Sequence, residues 1–214
     1  MADFDLEMTD KLLSTTRSVR KRLDFEREVP TQVVMDCLEL GLQAPTGSNR
    51  QGWRWLVVTD EGMRNELGRL YRKGGDEYLA QGLAQARESG AAQDARVFDS
   101  AIYLAENIER APVHVIPCIR NFLPENPPRF MWAGLLGSIV PAVWSFQLAL
   151  RSRGLGSVFT TLHLRCEAEA AELLGVPEDF MQVALIPVAY TLGTNFKPAE
   201  RRPLEEIVHV NTWS

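Results

Sequence analysis

The chain has 214 residues, 45% of them hydrophobic and 24% charged, with a formal net charge of −5. That length suits one domain, spanning 1–214, with room for a sizeable core, and the balance is that of a globular protein. The acidic total argues against nucleic acid, whose binding rests on neutralising many phosphates, and three cysteines (Cys37, Cys118 and Cys166) with no Cys-x-x-Cys pair argue against a disulfide framework or zinc ribbon.

The opening MADFDLEMTD is acidic, with no apolar run of a signal peptide behind it, so a cytoplasmic location is expected. Residues 6–22 read as a helix, with Leu6, Leu13 and Val19 as buried positions. On such a helix Arg17 and Lys21 share a face and Arg20 borders it. A second helix covers residues 29–44. Val33, Val34, Cys37, Leu38 and Gly41 recur there at three- and four-residue spacing, with Pro30 at its start and Pro45 beyond its end. TGSNRQG is a loop. WRWLVVTD is a strand with Trp53, Trp55 and Val57 on one face and Leu56 and Val58 on the other.

Residues 61–73 and 76–109 read as helical, with breaks at Gly74-Gly75 and Gly90. PVHVIPCI is a second strand and PENPPR a loop. MWAGLLGSIVPAVWSFQLAL is long enough to cross a membrane, yet it carries Ser138, Pro141, Ser145 and Gln147. It reads as a buried helix over 131–152 closed by Gly154, with no membrane partner expected. GSVFTTLHL contains an extended segment, and EAEAAELLG is a short helix capped by Gly175. MQVALIPVAYT is a third strand. The tail over 194–214, polar and then apolar at EEIVHV, has some strand character and is expected to reach beyond its own domain. Helices and strands mix irregularly, which is the pattern of an α+β fold.

The common catalytic signatures are missing. There is no P-loop, HExxH or GxSxG, and GLGSVF has Phe159 where a dinucleotide fingerprint needs its third glycine. His163 and Cys166 are too few ligands for a metal, and none is expected. Three segments remain. Arg17, Arg20, Lys21 and Arg22 are a solvated helix face or the seat of an anion. PTGSN offers small hydroxyls, a glycine and an amide that can approach an anion closely. Arg201-Arg202 adds two guanidinium forks, a geometry suited to phosphate.

In this order the segments resemble the FMN-dependent nitroreductase family. TTRSVRKRLD is similar to its RRSxRxF opening, and the stretch from VPTQVV through APTGSNRQGW to the valine-rich strand is similar to its second block. RSRGLGSVFTT resembles its GLGS turn, and LGVPEDFMQVALIPVAYTLGTNFKPAERRPLEEIV its closing block. The resemblance implies a nitroreductase-like α/β sandwich, a mostly antiparallel sheet flanked by helices. It also implies an intertwined homodimer with FMN at each interface. It assigns Arg17, Ser18 and Arg20 to the phosphate and ribityl chain, and Thr46, Gly47 and Asn49 to the phosphate or ring. Thr160 and Thr161 fall beside flavin N5, and Arg201, with Arg202 as neighbour, at the phosphate. The chain departs from the family pattern at Thr16, Gly52, Trp144 and Ala189.

The implied activity is ping-pong hydride transfer from NADPH or NADH, or from a deazaflavin, to a nitroaromatic, quinone or similar small-molecule acceptor. Arg20 would stabilise negative charge on the reduced ring, and a backbone N–H near Thr160 or Thr161 would meet N5. The alternatives are reductive dehalogenation, enone reduction or flavin fragmentation on the same fold, or flavin binding without turnover. Pocket walls are expected from residues 71–108 and 124–132. Phe130, Met131 and Trp132 read first as the buried start of the central helix and second as side chains stacking on an aromatic substrate.

Overall fold

The computed structural model describes residues 4–213. Seven helices and six strands follow in chain order among them. They are α1 (Leu6–Thr15), β1 (Leu23–Asp24), α2 (Thr31–Gly41), β2 (Trp53–Val58), α3 (Glu61–Glu88), α4 (Ala92–Asn107), β3 (Val113–Arg120), α5 (Arg129–Gly137), α6 (Val140–Ser152), β4 (Leu155–Ser157), α7 (Glu167–Leu174), β5 (Phe180–Gln182) and β6 (Ile186–Thr191). The sheet runs β1-β6-β3-β2, with β4 on β6 and β5 on β3, and every pairing is antiparallel.

The period-two pattern sorts β2 as expected. Trp53, Trp55 and Val57 face one core with Val34, Cys37, Val143 and Phe146 of α2 and α6. Leu56 and Val58 face a second core with Leu67, Leu70, Tyr71, Leu104 and Ala170 of α3, α4 and α7. Helices thus cover both faces of one antiparallel sheet.

Several expectations are corrected. The first helix stops at Thr15, not residue 22. The hydroxyls of Thr15 and Thr16 bond back to Lys11 O and Leu12 O, and Thr16 turns extended. The basic run is therefore not a helical face; its backbone is held by Val19 N–H donating to Ser157 O at 3.0 Å. Leu6 and Leu13 are exposed, while Val19 is buried.

Gly74-Gly75 does not break a helix, because α3 runs through both. A Cβ on Gly74 would lie 2.2 Å from Leu162 O, and one on Gly75 2.6 Å from Leu162 Cδ1. The pair exists for close approach to the 160–166 segment. Gly90, at φ +72°, does end the helical run.

The central apolar run is two helices, parted at Ser138-Ile139, with Pro141 in the first turn of α6 where its missing N–H is harmless. Leu135, Ala142, Val143, Phe146 and Leu150 are buried, but Phe130 is 75% exposed and Trp132 39% exposed, so the start of this run is not core. The last strand is likewise two pieces, since Leu185 leaves to pair with Thr160. The tail forms a short turn at Leu204–Glu206 and no strand among the described residues.

Candidate active site

The turn after α6 builds the first part of the site. Gly154 takes φ +78°, a left-handed conformation that glycine adopts without strain. Gly156 lets the basic segment lie against β4: a Cβ there would sit 3.0 Å from Val19 Cβ and 2.7 Å from Thr191 Cγ2. With Val19 anchored, its neighbours Arg17, Ser18, Arg20 and Arg22 turn to a hollow of about 400 Å³ shared with Ser100, Asn195 and Lys197. Arg17 Nη1 donates to Lys197 O at 3.0 Å, Arg20 Nη1 to Ser100 Oγ at 3.2 Å, and Arg22 Nε to Leu192 O at 2.8 Å. Lys21 is paired with Asp99. Among the described residues none of these three guanidiniums has a carboxylate partner.

A second hollow of about 330 Å³ shares Arg17 and Ser18 and continues past Gln147 to Val140, Trp144 and Phe159. The first hollow is thus cationic and the second, which shares Arg17 and Ser18 with it, aromatic. This is the donor set for a phosphate monoester carrying a flat heterocycle, so the residues fit FMN.

Behind this space Tyr71, only 2% exposed, shares a hydrogen bond of 2.7 Å between its Oη and Thr160 Oγ1. Burial pushes the Tyr71 phenol up, while its bond to Thr160 and nearby Arg20 pull it down. Burial presses Arg20 below the usual guanidinium value and Tyr71 opposes it. Arg20, Tyr71 and Thr160 form one connected group. Thr160 N–H donates to Leu185 O at 3.2 Å, so it is not free for a ligand. That leaves the N–H of Thr161 and the two threonine hydroxyls.

The TGSN turn lies elsewhere. Thr46 and Gly47 line a third cavity of about 740 Å³, with Asn49 in the same turn accepting from Gln51 Nε2 at 2.9 Å. Ser48, Asn49 and Gln51 all hold positive φ, between 47° and 53°. Backbone strain of this kind concentrates at functional loops. Gly47 N–H donates to Ser138 Oγ at 3.1 Å, which ties the turn to the α5–α6 break. Within one chain, therefore, Arg17, Ser18, Arg20 and Thr160 come together, and Thr46, Gly47 and Asn49 form a separate part. Arg201 and Arg202 are exposed and line none of these hollows, and Arg201 Nη1 reaches only Glu200 O. Lys197 stands at the basic hollow. Tyr71 and Ser100 fall within the 71–108 stretch expected to supply pocket walls, whereas Lys197 and Phe159, inside the closing block and the GLGS turn, were not singled out as site residues.

The model of the nitroreductase family matches residues 13–190. An iodotyrosine deiodinase of Thermotoga neapolitana is 25% identical over 211 residues, covering 97% of this chain and all of that one. Among solved structures, oxidized iodotyrosine deiodinase bound to FMN and 3-iodo-L-tyrosine superposes with a TM-score of 0.72 at 22% identity, over 95% of this chain and 99% of that one. An NADPH:FMN oxidoreductase from Vibrio harveyi complexed with NAD+ gives 0.70 at 20% identity, over 96% and 78%.

Proposed function

Because the chain belongs to the nitroreductase family, we propose that it is an FMN-dependent oxidoreductase. It takes hydride from NADPH or NADH and delivers it to a nitroaromatic, quinone or similar electrophile in alternating half-reactions. The observation that carries this reading is the pair of hollows that share Arg17 and Ser18, one lined by guanidiniums free of carboxylate partners and the other by Trp144 and Phe159.

FMN, when bound, supplies hydride acceptance and donation at N5. Arg17 and Ser18 would hold its phosphate, with Lys197 beside them. Arg20 would supply fixed positive charge to the ring at no reorganisation cost. Thr161 N–H or the Thr160 hydroxyl, braced by Tyr71, would donate to N5. No side-chain nucleophile is required. The site is completed by pairing: Thr46, Gly47 and Asn49 of one subunit close the hollow of the other in a homodimer. Trp132 and Leu136 on α5 and Val140 and Trp144 on α6, all exposed, supply the apolar surface for that pairing.

The test is consumption of NADPH or NADH with a nitroaromatic or quinone by protein saturated with FMN, and size-exclusion chromatography for the dimer. A second reading, reductive dehalogenation of an aromatic halide, is favoured by the full-length likeness to an iodotyrosine deiodinase. Halide release from 3-iodotyrosine by the reduced protein, without nitroaromatic turnover, selects it.

A further inference from the structure

The cavity beside the TGSN turn is more than a closing wall for the flavin. Its lining holds Arg50, Arg54 and Arg120 and no aspartate or glutamate, in a chain whose net charge is −5. Of these three arginines only Arg120 has a carboxylate partner among the described residues, Asp179 at 3.0 Å on Nε, which leaves its Nη groups free of that pair. Arg54 Nη1 caps the carbonyl of Trp53 at 2.7 Å, and no carboxylate meets Arg50 or Arg54.

The three forks are also held in place by rings. Arg50 lies over Phe122 at 5.1 Å, and Arg54 and Arg120 both lie over Phe180, at 5.7 and 5.5 Å. A volume of about 740 Å³ is that of a small-molecule site. Phe130, 75% exposed on the first turn of α5, lines the cavity and offers a further ring face.

We propose that this cavity binds an aromatic anion, with the ring among Phe122, Phe130 and Phe180 and the negative group on the arginines. Its chemical class is an aryl carboxylate or a similar planar acid. Resting on the proposed oxidoreductase activity, this names the acceptor's class: an electrophilic aromatic that carries a negative charge. A carboxylate suits the forks because guanidinium pairs it with two parallel hydrogen bonds. A neutral acceptor gains no charge-assisted bond from Arg50 and Arg54, which are exposed to solvent.

The experiment is isothermal titration calorimetry of FMN-saturated protein with 4-nitrobenzoate, nitrobenzene and ADP. The expected result is at least about tenfold tighter binding of 4-nitrobenzoate than of nitrobenzene, weakening as salt rises. Arg50→Gln and Arg54→Gln should each lose about tenfold for 4-nitrobenzoate and little for nitrobenzene. Arg54→Lys should recover part of that loss, and Arg96→Gln on α4 should change nothing. Equal binding of the charged and neutral probes overturns the inference. So does a preference that survives the Arg50→Gln/Arg54→Gln double variant. Arginine-dependent binding of ADP alone overturns it too, in favour of a dinucleotide phosphate site. The readout is heat, not turnover. A sample with no flavin absorbance therefore refutes the proposed function separately, while the charge preference still decides this one.

Discussion

Gly74→Ala separates two views of α3 by the sign of its effect. If the Gly-Gly pair only weakens a helix, alanine there stabilises the fold by about 1 kcal/mol through helix propensity. The structure opposes this. The new Cβ would stand 2.2 Å from Leu162 O and 3.2 Å from Arg165 Cβ. A carbon and a carbonyl oxygen need about 1 Å more than the shorter distance, and the obstacle is backbone. Overpacking of this kind costs about 1–3 kcal/mol, and the upper end applies where no side chain can swing away. The net expectation is destabilisation by about 1–2 kcal/mol, or a Tm lower by about 2–8 °C for a chain of this size. Thermal unfolding and urea titration measure it. The strain also moves Leu162 and, through it, Thr160 and Thr161, so flavin reduction should slow by about tenfold or more. A rise in Tm would refute the close-approach reading and make the pair a weak point in the helix.

Tyr71→Phe removes the bond to Thr160 Oγ1 while keeping the ring in the core. Stability should fall by about 1 kcal/mol, and hydride transfer should slow with FMN affinity nearly unchanged, as stopped-flow reduction and fluorescence titration would read. Arg17→Ala and Arg20→Ala should each weaken FMN by about ten- to a hundredfold in the same titration, with Arg20→Ala also lowering the flavin potential. His114 and His163 are both pressed down to about 4 by burial, with His114 also acting on His163. The folded state refuses protons that the unfolded state accepts below about 6.5. Stability is therefore complete above that pH and falls on acidification toward 4. Urea unfolding at pH 5 should show a loss of about 2 kcal/mol per histidine relative to pH 7, and His114→Gln should flatten the slope.

Much of this fold was legible because local physics dictated it. The alternation in WRWLVV placed Trp53 and Val58 on opposite faces, and Gly175 capped α7 as read. Expectations failed where tertiary contact overrode local preference. Gly74-Gly75 looked like a break because the neighbour demanding them, Leu162, lies 87 positions downstream. The helix through Arg22 failed because Val19 prefers a hydrogen bond to Ser157 over another helical turn. Arg17, Ser18 and Arg20 line one hollow, since adjacent residues on one anchored segment stay together. Lys197 and Phe159 were not legible as site residues, because their place within the closing block and the GLGS turn does not tell which side chains face the hollow.

The central claim is that the hollow joining Arg17 to Trp144 holds FMN that cycles. An anaerobic absorbance spectrum of the protein saturated with FMN, taken before and after NADPH or NADH and again after a nitroaromatic or quinone, tests it most directly. The account predicts a bound flavin band that bleaches with the nicotinamide and returns with the acceptor. A protein that retains no flavin after gel filtration, or a bound flavin that neither nicotinamide bleaches, would contradict it.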